Sequence, residues 1–180
     1  MKQHLKVIFI PLCVVLLAGC VGSINPRTYD FQPPPLKPFI DQAIWSKTTK
    51  DKVYTACLTA LHMQGFSIHP LGTSKESGLI IVGSVETSLN TSVVKCSYSM
   101  QILVSEMSNN KIMVNVNPKG LYKPITLHES DFLYNKSYEL SFKNALNNKI
   151  AADMEKFFTQ MDGFLGKAES HRGGIFLEWK

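Results

Sequence analysis

Between residues 93 and 116 apolar and polar side chains alternate on both sides of Ser108-Asn109-Asn110, and this stretch constrains the fold more than any other. Cys96, Tyr98, Met100, Ile102 and Val104 recur at every second position, and Ile112, Val114 and Val116 do so again after the turn. Successive strand side chains point to opposite sides, so this alternation describes a sheet with one covered and one solvated face. Asparagine tolerates the left-handed backbone of a tight turn, and the two runs therefore read as an antiparallel hairpin. An earlier hairpin is expected from residues 66–71, which alternate, residues 72–77, which read as a turn, and residues 78–85, rich in apolar side chains.

Two helices frame these strands. Ser46, Thr48 and Thr49 supply capping hydroxyls ahead of Asp51, and Val53, Tyr54, Cys57, Leu58 and Leu61 then recur at three- and four-residue spacing until Gly65. Near the C-terminus Ser137 is placed to cap a longer helix, with a stripe of Leu140, Leu146, Ile150, Met154, Phe157 and Met161, widened by Ala151 and Phe158. Residues 118–136 carry no clear period and read as a long connection, with one short extended piece around 125–127. The apolar tail from Gly173 to Lys180 either adds an edge strand or docks on a neighbouring molecule, docking on its own domain being the favoured reading. The expected fold is α+β, a two-layer sandwich in which a four-stranded antiparallel sheet carries two helices on one face. Its expected bounds are residues 43–166, with residues 167–180 as the tail.

The N-terminus has a different character. Lys2 and Lys6 precede an apolar run over residues 7–18, broken by Pro11, and the run closes on Leu17-Ala18-Gly19-Cys20. That run is 12 residues long, against the roughly 20 a spanning helix needs. It reads as an export signal that is removed, not as an anchor helix. The stretch resembles the lipobox of bacterial lipoproteins. The resemblance implies removal of residues 1–19, a diacylglyceryl thioether on Cys20 and a third acyl chain, such as palmitate, on the new amino group. Two or more chains hold a protein stably at a membrane. Val21 and Gly22 follow the cysteine instead of an Asp, which in such lipoproteins implies the outer membrane, facing the periplasm. Residues 20–42 contain Pro26, Pro33, Pro34, Pro35 and Pro38 and read as an extended tether. Its apolar residues Phe31, Leu36, Phe39 and Ile40 either form a docking motif or, the favoured reading, lie back on the domain.

Residues 45–85, a capped helix running into Gly65-Phe66 and a strand, then into Gly78-Leu79-Ile80 and a second strand, are similar to the repeat of small outer-membrane lipoproteins of the BamC type. Those subunits of the β-barrel assembly machinery carry two helix-grip domains behind a lipidated cysteine and a linker; this chain has room for one.

Removing the signal leaves 161 residues (180 − 19), enough for one domain. The charge balance becomes 17 − 14 = +3, a mild excess that implies no nucleic-acid partner because the lysines are spread along the chain. Cys57 and Cys96 are the thiols that remain. They can pair in an oxidising compartment or stay as separate buried thiols. Neither a cofactor nor a metal site is expected, since His62, His69, His128 and His171 show no ligand spacing. His128-Glu129-Ser130-Asp131 unites nucleophile, base and acid types, yet a triad is assembled across separate elements and needs an oxyanion hole, so the cluster reads as polar loop. The chain is expected to be no enzyme but an accessory or scaffold subunit of an envelope protein complex serving secretion, conjugation or outer-membrane assembly. The alternative is a periplasmic carrier of a small ligand or lipid. Candidate partner-binding residues are Tyr122, His128, Asp131, Phe132 and Tyr134 in the connection and Phe176 and Trp179 in the tail, because exposed aromatics make strong anchors.

Overall fold

The structure, a computed structural model, describes residues 35–89, 94–124 and 136–175. It is α+β, with one antiparallel sheet and two helices, and the sheet has five strands where four were expected. In chain order these are β1 (Phe39–Ser46), α1 (Lys50–Met63), β2 (Leu79–Glu86), β3 (Val94–Met107), β4 (Lys111–Pro124), α2 (Lys136–Leu165) and β5 (Ser170–Ile175). The strand order is β2-β3-β4-β1-β5, and every neighbouring pair is antiparallel.

The β3–β4 hairpin forms as its alternation predicts. Fourteen paired positions run from Val94↔Pro124 to Met107↔Lys111, and Asn109 and Asn110 take φ of 84° and 55° in the turn. Val94, Cys96, Tyr98, Met100, Ile102 and Val104 are buried in β3, as are Ile112, Val114 and Val116 in β4. The strand β4 runs on to Pro124, into residues expected to be loop. Pro118 is tolerated because β1 pairs with β4 only as far as Asn115, so beyond that point β4 has a neighbour on one side alone.

Two strand expectations are corrected. Residues 66–71 are not a sheet strand: a single bridge joins Ile68 to Val82, and His69 N–H and Gly83 N–H bond to the carbonyls of Ile81 and Ser67. Pro70 offers no N–H to extend that pairing, and the chain turns away over β2. The missing strand is β1, which begins inside the expected tether and pairs with both β4 and β5. The domain therefore starts before residue 43. Phe39, Ala43 and Trp45 face the core, and the chain ahead of them is held to α2: Lys37 N–H donates to Asn148 Oδ1, while Asn147 and Asn148 donate to the carbonyls of Lys37 and Pro35. A C-terminal edge strand is present as β5 over Ser170–Ile175, starting ahead of the expected Gly173, while residues 176–180 lie outside the described residues.

The helices cover the face to which the even-numbered residues of β3 and β4 point. Thr49 caps α1, its hydroxyl accepting from Lys52 N–H at 3.4 Å. In α2 the residues Leu146, Ile150, Met154, Phe157 and Met161 are fully buried, but Leu140 is 47% exposed. In the first turns the buried positions are the polar residues Ser141, Asn144 and Asn147 instead. Gly78 sets the approach of the α1–β2 connection to β3, because its carbonyl accepts from Val104 N–H and a Cβ there would lie 2.0 Å from the Val104 carbonyl oxygen.

Candidate functional site on the open sheet face

The odd-numbered residues of β3 and β4 point away from the helices, and the sheet register lays them out in rows. In the upper half Leu79 pairs with Leu103, Leu103 with Asn115 and Asn115 with Gln42; one row to each side lie Ile81 with Gln101 and Ile44 with Met113 and Ser105. Paired positions share a face, so Leu79, Ile81, Leu103, Met113 and Ile44 form an apolar stripe crossing four strands. Leu103 is 42% exposed. Gln42 Nε2 donates to Asn115 Oδ1 and to Met113 Sδ, both at 2.8 Å, which fixes the amides between the apolar side chains. The segment after α1 forms a rim: Ile81 N–H donates to Thr73 Oγ1 at 3.0 Å, and a Cβ on Gly72 would meet Ile81 Cδ1 at 2.7 Å. Leu71 sits on that rim, 78% exposed.

The lower half of the same face lies beyond the reach of β1. Lys95 pairs with Lys123, Ser97 with Leu121 and with Glu86, and Ser99 with Lys119. The three lysines are exposed, and Leu121 among them is 50% exposed.

Polar chemistry on the covered side is bound up in structure. The Tyr98 hydroxyl donates to Asp153 Oδ2, and Lys149 Nζ reaches both oxygens of that carboxylate at 2.7 and 2.6 Å. Burial, then the hydrogen bond and charge of Asp153, raise the Tyr98 pKa above its ordinary value, so the phenol stays a proton donor. Phe66 meets the same ring edge-on at 6.3 Å. At the other end Trp45 Nε1 donates to the Gly166 carbonyl, and His171 lies edge-on to Trp45 and 3.5 Å from Asp162. The space between sheet and helices is filled by large side chains, Trp45, Phe157, Phe158, Met154 and Met161 among them. Among the described residues no three His, Cys, Asp or Glu side chains gather as a metal site would require.

Cys57 and Cys96 are both buried thiols and no bridge joins them. Lys50 at the start of α1 lies beside Val104, and Phe66 just past its end meets Tyr98 edge-on, so α1 covers the Tyr98–Val104 stretch of β3. Cys57 sits midway along α1, and Cys96 lies near the start of β3, before the covered stretch. A disulfide needs Cα atoms roughly 4.4–6.8 Å apart. Burial raises the pKa of both thiols.

Of the partner-binding candidates, Tyr122 is placed differently from expectation. It lies in β4, half-buried, with its ring 6.4 Å from that of Phe142 and the Lys143 ammonium 5.8 Å from its centroid, so it packs on α2. His128, Asp131, Phe132, Tyr134, Phe176, Trp179 and Cys20 lie outside the described residues. The apolar stripe was missed, although the sequence carries its signal. Ile102-Leu103-Val104 and Leu79-Ile80-Ile81-Val82 are unbroken apolar runs, and in a sheet covered on one side an unbroken run must place apolar groups on the open side too.

No protein-family model matches the chain, and no curated protein matches it significantly. Among solved structures it is similar to the crystal structure of a TBP-like protein from Parabacteroides distasonis, at 18% identity and a TM-score of 0.46, over 72% of this chain and 97% of that one.

Proposed function

We propose that this chain is a lipid-anchored envelope protein, held through Cys20 at the outer membrane, whose periplasmic domain is a non-enzymatic accessory subunit that docks a protein partner on the upper half of its open sheet face. The observation that carries the reading is the stripe of Leu79, Ile81, Leu103, Met113 and Ile44, an apolar band with fixed amides between its members and an exposed Leu71 on its rim. Contiguous exposed apolar surface edged by polar groups is the composition of a protein-binding patch. The anchor belongs to the same reading, since Lys2, Lys6, the short apolar run and Leu17-Ala18-Gly19-Cys20 have the order of a lipoprotein signal.

The test is in-cell crosslinking followed by detergent extraction and mass spectrometry, on the natural chain and on Leu103→Asp. The expected result is a fixed set of envelope proteins that travels with the natural chain and is lost from a folded Leu103→Asp variant. Recovery of a free monomer from both, or of the same set from both, would remove the proposal.

A further inference from the structure

We propose that the lower half of the open face, Lys95, Lys119 and Lys123 around Leu121, is a membrane-contact surface that lays the domain on an anionic lipid bilayer. Three observations meet there. The register sets Lys95 directly opposite Lys123, with Lys119 two residues along β4 on the same face. A directly opposed like-charge pair costs a sheet stability, and among the described residues none of the three lysines forms an ion pair that would relieve it. Glu86, opposite Ser97, is the acidic side chain that the pairing brings to this half.

Leu121 stands among these charges with half of its surface exposed. Lysines that reach headgroups around an aliphatic side chain that enters the acyl boundary are the elements of interfacial binding, where apolar burial and attraction to anionic lipid add. A protein partner is the weaker fit, because lysine is depleted from the cores of protein interfaces.

The chain also reaches the domain at this end. Pro35 and Lys37 are held by Asn147 and Asn148 of α2, within two helical turns of Phe142, which packs on Tyr122 beside Leu121 and Lys123. Cys20 is 15 residues before Pro35 in the sequence, a reach of at most roughly 50 Å when extended. An acylated Cys20 would leave the point where the chain enters the domain within that reach of the bilayer. That distance step rests on the anchored reading; the charge and exposure of the patch do not.

The experiment places a photo-crosslinking residue at position 121, and in a second protein at position 71, of the detergent-purified full chain reconstituted into vesicles. One set of vesicles is phosphatidylcholine mixed with phosphatidylglycerol, whose anionic headgroups attract basic side chains, and the other is phosphatidylcholine alone. Lipid adducts are expected at position 121 in the anionic vesicles, falling roughly tenfold in the neutral ones, at high salt, or in Lys95→Glu/Lys123→Glu, while position 71 stays unlabelled. Equal labelling of position 121 in both vesicles, labelling that survives the charge reversal, or adducts to protein in place of lipid would overturn the proposal. An unchanged thermal midpoint shows that the charge-reversed chain is folded, and Lys95→Gln/Lys123→Gln, which removes the like-charge pair, supplies a folded variant with the same expected loss. The mass of Cys20 in the same preparation reports separately on the anchor, so failure of the anchored reading and failure of the patch are told apart.

Discussion

The two faces of the β3–β4 hairpin are built from alternate residues of the same two strands, yet they obey different rules. On the covered face Tyr98, Met100, Ile102 and Val104 are at most 1% exposed and lie under helices. On the open face Leu103 and Leu121 are 42% and 50% exposed, with Lys95, Lys119 and Lys123 alongside. Packing explains the first set completely. It offers no reason for the second, where a polar residue at each odd position would satisfy the fold equally well. The contrast separates what stabilises this domain from what it presents to its surroundings.

Substitutions on the covered face should therefore be costly. Trp45→Ala removes a ring that is 1% exposed, stacks on Phe158 at 6.4 Å and donates to the Gly166 carbonyl. A loss of about 3–5 kcal/mol is expected in chemical denaturation; a loss below about 1 kcal/mol would break the distinction between the faces. Tyr98→Phe should cost less, about 1.5–3 kcal/mol, because it deletes a hydrogen bond to a charged group and leaves the ring in place.

The pH dependence sharpens the same point. Tyr98 and Cys57 have raised pKa values in the folded chain, relative to ordinary values of 10.0 and 9.0. Below those values both states hold the protons, and this contribution to stability is fully present. As pH rises above them the unfolded chain releases protons that the folded chain retains, so stability should fall. Tyr98→Phe should flatten that alkaline decline in a denaturation series. A decline as steep as that of the natural chain would assign it to other groups.

Leu103→Ser, on the open face of the same strand, should change stability by less than about 0.5 kcal/mol. A cost near that of a core residue would mean that the open face is packed in the free protein. The smallest effect is expected at Glu169, whose carboxyl is held below its ordinary value by hydrogen bonds from Lys111 and Ser46. A depressed carboxylate contributes stability above its unfolded pKa and loses it as pH falls through the folded value. Glu169→Gln should leave the neutral-pH midpoint almost unchanged and remove a slight acid-side decline, since both partners are well exposed.

What was legible in the sequence was local. The β3–β4 hairpin, the Asn109-Asn110 turn and the stripe of α2 beyond Leu146 all declare themselves within a few residues, because side-chain direction repeats every two or every 3.6 positions. The strand β1 does not. Asp41 and Ala43 dilute its alternation, prolines precede it, and Gln42 finds Asn115 only 73 positions away. Residues 66–71 mislead in the opposite way, since they alternate well but Pro70 and Gly72 turn the chain aside after one bridge. Choosing site residues by aromatic character in a supposed loop placed Tyr122 where it packs on α2. The stripe through Leu103 needed cross-strand register, and no local period contains that.

The position of β1 between β4 and β5 also sets an order of events. Its first residue, Phe39, pairs with Ile175, 136 positions later in the sequence. A polypeptide that emerges N-terminus first delivers β1 early and its second neighbour last, and contacts so far apart in sequence are slow to close. During that interval Phe39, Ala43 and Trp45 stand on a strand with an unpaired edge, the kind of surface that recruits the wrong neighbour. A chain that lacked β5 would keep that edge permanently, which makes the pairing of β5 with β1 a checkpoint on whether the sheet is complete.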